Sequence, residues 1–190
     1  MSKASREEFS GKSYIEGLKS SLTNFPLVAV QELGSLLHSS ANKSMVYVIG
    51  NGGSASTAAH LATDLGVGSL RRSNPIRCIS LAENQGVLTA TSNDLEFKSV
   101  YSEQIRLLGK PDDILICISA SGNSANLIEA VQIAKSKKIF TVAITGFDGG
   151  KLREISDLNI HTPTEIGAYG IAEDLHSTVC HILTEIVRSK

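Results

Sequence analysis

The spacing of apolar residues changes near residue 44. Before it, Tyr14, Leu18, Ser21 and Leu22, then Val28, Val30, Leu33, Leu36 and Leu37, recur at helical intervals, which predicts two helices within residues 5–40. Asn24-Phe25-Pro26 separates them, with Asn24 expected as N-cap and Pro26 in the first turn of the second helix. After residue 44, short apolar runs of strand length alternate with longer helical stretches. The runs are Met45–Ile49, Ile76–Ile79, Ile114–Ile118, Phe140–Ile144 and Leu158–Ile160, and a last long helix is expected from about Ala168 to Arg188. Several runs are apolar at consecutive positions, as parallel strands buried on both faces require. The pattern predicts one α/β domain over residues 1–190, with a helical pair (1–42) ahead of a doubly wound α/β core (43–190).

Composition narrows the setting. Charged residues make up 19% of the 190 positions, below the roughly 25% usual for soluble domains, and mean hydropathy is +0.05. That balance points to surface buried between subunits. No apolar run approaches the ~18 residues of a membrane span, and the polar start MSKASREEFSGKSY lacks the apolar centre of a secretory signal. A net charge of −1 without a Lys/Arg stripe argues against nucleic acid as the main ligand. Cys78, Cys117 and Cys180 show no CxxC spacing and read as reduced, small apolar residues. A cytoplasmic protein with no membrane and no nucleic-acid partner is expected.

Two predicted strands end alike. Ile49 runs into Gly50-Asn-Gly-Gly-Ser54-Ala55, and Ile118 into Ser119-Ala-Ser-Gly-Asn-Ser124-Ala125. A small-residue turn between a strand's carboxyl end and a helix N-terminus offers backbone N–H groups and the positive end of the helix dipole to an anion. Ser119, Ser121 and Ser124 add hydroxyl donors. No Lys follows either turn, so the P-loop pattern is absent. Gly50-x-Gly52-x-x-Ala55, with Glu83 after the next strand, also meets the dinucleotide fingerprint. That fingerprint normally opens its fold, however, and here two helices come first. Phosphate binding is the better reading of the pair of turns.

The helices carry a second kind of chemistry. His60 and Asp64, at i and i+4 after the first turn, share a face. On the last helix Glu173, His176 and Cys180 form one stripe, while Asp174 and His181 form a neighbouring one. Glu173 and His181 lie about 80° apart on an ideal helix and could converge on one atom. Imidazoles with carboxylates suit zinc or a similar divalent metal, although spacing alone is weak evidence: a surface or core-edge role is the commoner one for any single histidine, and acids on a long helix usually form a solvated face.

The turn Gly50–Ala55 with His60 and Asp64, then Ser92-Asn93-Asp94, the turn Ser119–Ala125, Thr145-Gly-Phe-Asp-Gly-Gly150, and Glu173-Asp-Leu-His176 with His181 together resemble the phosphoheptose isomerase family, within the sugar isomerase (SIS) domain class. The resemblance implies a five-stranded parallel sheet flanked by helices and a homotetramer in which the N-terminal pair takes part. It implies conversion of sedoheptulose 7-phosphate into D-glycero-D-manno-heptose 7-phosphate in heptose biosynthesis. By position, Asn51, Gly52, Gly53, Ser54, Asn93, Asp94, Ser119, Ala120, Ser121, Ser124 and Glu173 would contact the phosphorylated sugar. His60, Asp64, Glu173 and His181 would hold one Zn2+ per active site, and Asp64, Glu173 and His181 would be catalytic. The chain departs from the family pattern with Asp64 for Glu, Glu173 for Gln, and Gly170-Ile171 for an Asp-Arg pair. This implies either a different sugar phosphate or a base moved from Asp64 to Glu173. Some SIS relatives, a regulator of replication initiation among them, bind partners without isomerase activity. Retention of His181, lost in that regulator, favours the enzyme.

Overall fold

A computed structural model describes residues 10–70 and 72–189. In chain order the elements are α1 (Gly11–Thr23), α2 (Leu27–Ser40), β1 (Met45–Gly50), α3 (Gly53–Gly68), β2 (Arg77–Ser80), α4 (Gln85–Asp94), α5 (Ser102–Leu108), β3 (Ile114–Ser119), α6 (Ala125–Ser136), β4 (Phe140–Thr145), α7 (Gly150–Ile155), β5 (Leu158–His161) and α8 (Tyr169–Arg188). A 3-10 turn, Phe97–Ser99, precedes α5. The strands form one five-stranded sheet in the order β2-β1-β3-β4-β5, with every pairing parallel.

Side-chain alternation along the strands explains the two-sided sheet. Val46, Val48, Ile114, Ile116, Ile118, Val142 and Ile144 face Leu33 and Leu37 of α2, Leu61 and Leu65 of α3, and Val179 and Leu183 of α8. Their neighbours Tyr47, Ile49, Leu115, Cys117 and Ala143 face Ile105 of α5, Leu127 and Val131 of α6, and Leu152 of α7. Each fully buried Leu or Ile contributes about 1.5–3 kcal/mol of apolar burial, so neither layer is dispensable. The second helix of the N-terminal pair is therefore part of the core, whereas α1 buries no residue. α1 is held by the Tyr14 hydroxyl, which donates to Asp174 Oδ2 at 2.8 Å, and by Ile171 Cδ1 lying against Gly17.

The predicted boundaries shift in three places. Asn24 closes α1 instead of capping α2; Pro26 holds the N-cap position with φ −79° and makes no side-chain cap. All five strands run one residue beyond their apolar cores, to Gly50, Ser80, Ser119, Thr145 and His161, and each of these residues remains in register with a neighbouring strand. β2 begins at Arg77 instead of Ile76, and its predicted start is the buried residue just ahead of it. The part of the first predicted helix at residues 5–9 lies outside the described residues.

Candidate active site

The strand order reverses between β1 and β3, and Gly50 pairs with Ile118 there. Ligands of open α/β sheets bind in the crevice outside the carboxyl ends of strands at such a reversal. Both small-residue turns leave the sheet at this point, one entering α3 and the other α6.

The first turn is closely fitted. A Cβ on Gly50 would lie 2.5 Å from the Ser54 carbonyl oxygen, and Tyr101 donates its hydroxyl to the Gly50 carbonyl. Gly52 occupies the N-cap of α3 at φ 55°, a conformation that disfavours side chains. Ser54 is buried. Asn51 and Asn126 exchange two amide hydrogen bonds, 2.9 and 2.8 Å, which tie the first turn to the start of α6. The spacing of motifs gave Asn126 no role; only the side-by-side placement of β1 and β3 reveals it.

The second turn is braced from behind. Ser119 is buried and its Oγ accepts the Gly122 N–H at 3.1 Å, while Ser121 Oγ accepts the Asn123 N–H at 3.3 Å. Ser121 and Ser124 are half-buried, and Ser124 is the N-cap of α6 with no side-chain cap of its own. Ala120 is buried against Phe147 and Ala172. Gly122 adopts φ 64° with its Cα facing the Gly149 carbonyl so closely that no Cβ fits, and its own carbonyl accepts the Leu152 N–H at 2.9 Å. The Thr145–Gly150 segment is thus the rear support of the serine turn.

Helices α3 and α8 pack together and bring the metal-type donors into contact. His60 Nε2 lies 3.5 Å from Asp64 Oδ2, and the His60 and His181 rings meet edge to face at 5.2 Å between centroids. One donor atom from each of His60, Asp64 and His181 lies within 4.8 Å of the others. Thr184 donates its hydroxyl to Asp64 Oδ2 at 3.4 Å. Two imidazoles and a carboxylate at this separation fit a divalent metal such as zinc. Cys180, next to the group, is buried; burial and the Asp64 charge push its thiol up to about 12, so it stays protonated.

Glu173 is not in that group. Its carboxylate rests on Gly53, where a Cβ would lie 2.5 Å from Oε1, 2.7 Å from Oε2 and 2.8 Å from Cδ. Gly170, one turn earlier, is covered by Tyr14, whose Oη would be 2.9 Å from a Cβ there. Asn93 and Asp94 sit exposed at the end of α4, with Asn93 Nδ2 donating to Asp94 Oδ1 at 2.9 Å; among the described residues no hydrogen bond or ion pair joins them to the cluster. His176, on the face of α8 opposite His181's exposed one, is fully buried with neither ring nitrogen hydrogen-bonded among the described residues. Burial lowers it to about 4.

Comparison with known proteins places this geometry in a family. The SIS domain model matches residues 27–146. The phosphoheptose isomerase of Laribacter hongkongensis is 36% identical over 166 residues, covering 85% of this chain and 83% of its own length. That of Helicobacter pylori is 35% identical over 173 residues, covering 90% and 88%. The solved structure of the phosphoheptose isomerase from Neisseria gonorrhoeae superposes with a TM-score of 0.84 at 29% identity, covering 94% of this chain and 95% of that one. With the matched turns at the sheet reversal and this extent of identity, the chain belongs to the phosphoheptose isomerase family of SIS-domain proteins.

Proposed function

We propose that the protein interconverts an aldose and a ketose phosphate, with sedoheptulose 7-phosphate and D-glycero-D-manno-heptose 7-phosphate as the pair, working in the cytoplasm as a homotetramer. The observation that carries this reading is the approach of His60, Asp64 and His181 on the two helices that also border the turns: α3 starts at the first turn, and Ala172 of α8 packs on the second. No helix among the described residues is long and apolar enough to cross a membrane.

The turns hold the phosphoryl group with backbone N–H groups and the Ser121 and Ser124 hydroxyls, leaving the open-chain sugar extended toward the acid–imidazole group. Asp64, or Glu173, takes a proton from the carbon bearing the hydroxyl and returns it to the former carbonyl carbon. His181 moves the hydroxyl proton from one oxygen to the other, so an enediol forms and collapses with no net gain or loss of atoms. His60, Asp64 and His181 would hold a zinc ion, which when bound polarises the carbonyl oxygen as a Lewis acid.

The test is isomerisation of a series of five-, six- and seven-carbon ketose phosphates in deuterated water. Deuterium at C2 of the aldose, with the seven-carbon substrate preferred, is the expected result. Turnover without label at C2, or no turnover of any ketose phosphate, would overthrow the enediol route.

A further inference from the structure

We propose that Tyr14 is a specificity-determining residue of the proposed isomerisation: its phenol stands where position 170 has no side chain and recognises one hydroxyl group of the sugar. The proposal rests on that reading of the reaction and gives α1, which buries no residue of its own, a part in the site.

α1 docks on the first turns of α8 by an exchange of side chains. A Cβ on Gly170 would lie 2.9 Å from Tyr14 Oη, 3.2 Å from Cε2 and 3.4 Å from Cζ, so the phenol occupies the room that a side chain there would need. In return, a Cβ on Gly17 would lie 2.9 Å from Ile171 Cδ1. Each helix thus carries a glycine where the other presents a large side chain, and the two contacts fix where the tyrosine lies.

The hydroxyl is turned to the side of α8 that carries His181. It donates to Asp174 Oδ2 at 2.8 Å, and Asp174 shares a stripe of α8 with His181, two turns and about 10 Å further along. Glu173 also lies close enough for its charge to act on Tyr14. Burial, the bond to Asp174 and the charges of Asp174 and Glu173 raise the phenol to about 12, so it stays neutral and hydrogen-bonded at any working pH. Beside the ring, an open groove of about 410 Å3 has Tyr14, Gly167, Tyr169 and Gly170 among its walls. The Tyr169 ring meets Phe147 edge to face at 5.0 Å between centroids, and Phe147 packs on Ala120 of the serine turn. A sugar phosphate held at that turn and reaching His181 runs along α8 past Asp174. A phenol that gives its proton to a carboxylate presents its oxygen as an acceptor. Tyr14 therefore favours the sugar whose hydroxyl points at it over the epimer that leaves the oxygen unpaired.

The test measures kcat/KM for a seven-carbon ketose phosphate and for its C3, C4 and C5 epimers with the parent, Tyr14→Phe and Gly170→Ala. The parent should prefer one epimer by at least about tenfold. Tyr14→Phe keeps the ring against Gly170 and removes the oxygen, so it should lose about tenfold on the preferred epimer and less than about twofold on the others. Gly170→Ala, whose Cβ displaces the phenol, should show the same loss of preference. The double variant should be no worse than either single one, since both act on one contact. Equal losses on every epimer would mark a structural role and overturn the proposal while the isomerase reading stands. A parent without preference, or a preference that Tyr14→Phe leaves unchanged, would do the same. A parent that isomerises no ketose phosphate overturns both.

Discussion

At the scale of single residues, the His60–Asp64–His181 cluster is arranged by helical spacing and then fixed by tertiary contacts. His60 and Asp64 are set on one face by their four-residue separation, and Thr184 restrains the carboxylate. His181 is exposed, with its ring edge on His60, so it can meet solvent or substrate from the open side. Replacing His181 with Ala should lower kcat about a hundredfold, the usual scale for loss of a general acid–base group; steady-state kinetics with near-parental kcat would remove His181 from proton transfer. The pairing of His60 with Asp64 was legible in the sequence because it is local. The resting place of Glu173 was not, since spacing along α8 says nothing about which glycine of α3 lies opposite.

At the scale of elements, α8 joins the parts of the site. Ala172 contacts the braced serine turn, Glu173 the start of α3, and His181 the middle of α3. Between them His176 is sealed in the core with neither ring nitrogen hydrogen-bonded among the described residues, where an apolar residue would satisfy packing at lower cost. Its folded-state value, lowered from 6.5 to about 4 by burial, means that the unfolded chain binds more protons between those limits. Stability from this group is complete above pH 6.5 and is lost as pH falls toward 4, by about 3 kcal/mol in all. Urea denaturation at pH 7 and pH 5 should show a smaller loss in His176→Leu than in the parent; equal losses would show that another group carries the acid sensitivity. The strands and helices themselves were readable, because apolar runs of strand length and helical periodicity seldom mislead in long stretches. The brace formed by Thr145–Gly150 was not: its glycines are needed for a close approach between two loops distant in sequence, and periodicity carries no trace of such contacts.

At the scale of the whole molecule, the single chain leaves large apolar side chains in water. Val28 of α2 is 79% exposed, Leu107 of α5 84% and Ile166, ahead of α8, 80%. Scattered exposure of this kind is ordinary in isolation, but it accompanies a low share of charged residues and a first helix with no buried position. Burial of such positions between copies is what the proposed homotetramer predicts. Four chains of 20.2 kDa give a mass of about 81 kDa by light scattering; a species at one chain's mass, still active on ketose phosphate, would refute that assembly. Because Asn51 and Asn126 each give and take one amide hydrogen bond, neither tolerates an acid, which would set two acceptors face to face. The two small-residue turns are consequently a single heritable unit: a designer, or a lineage, that grafts one onto another scaffold must bring its partner too.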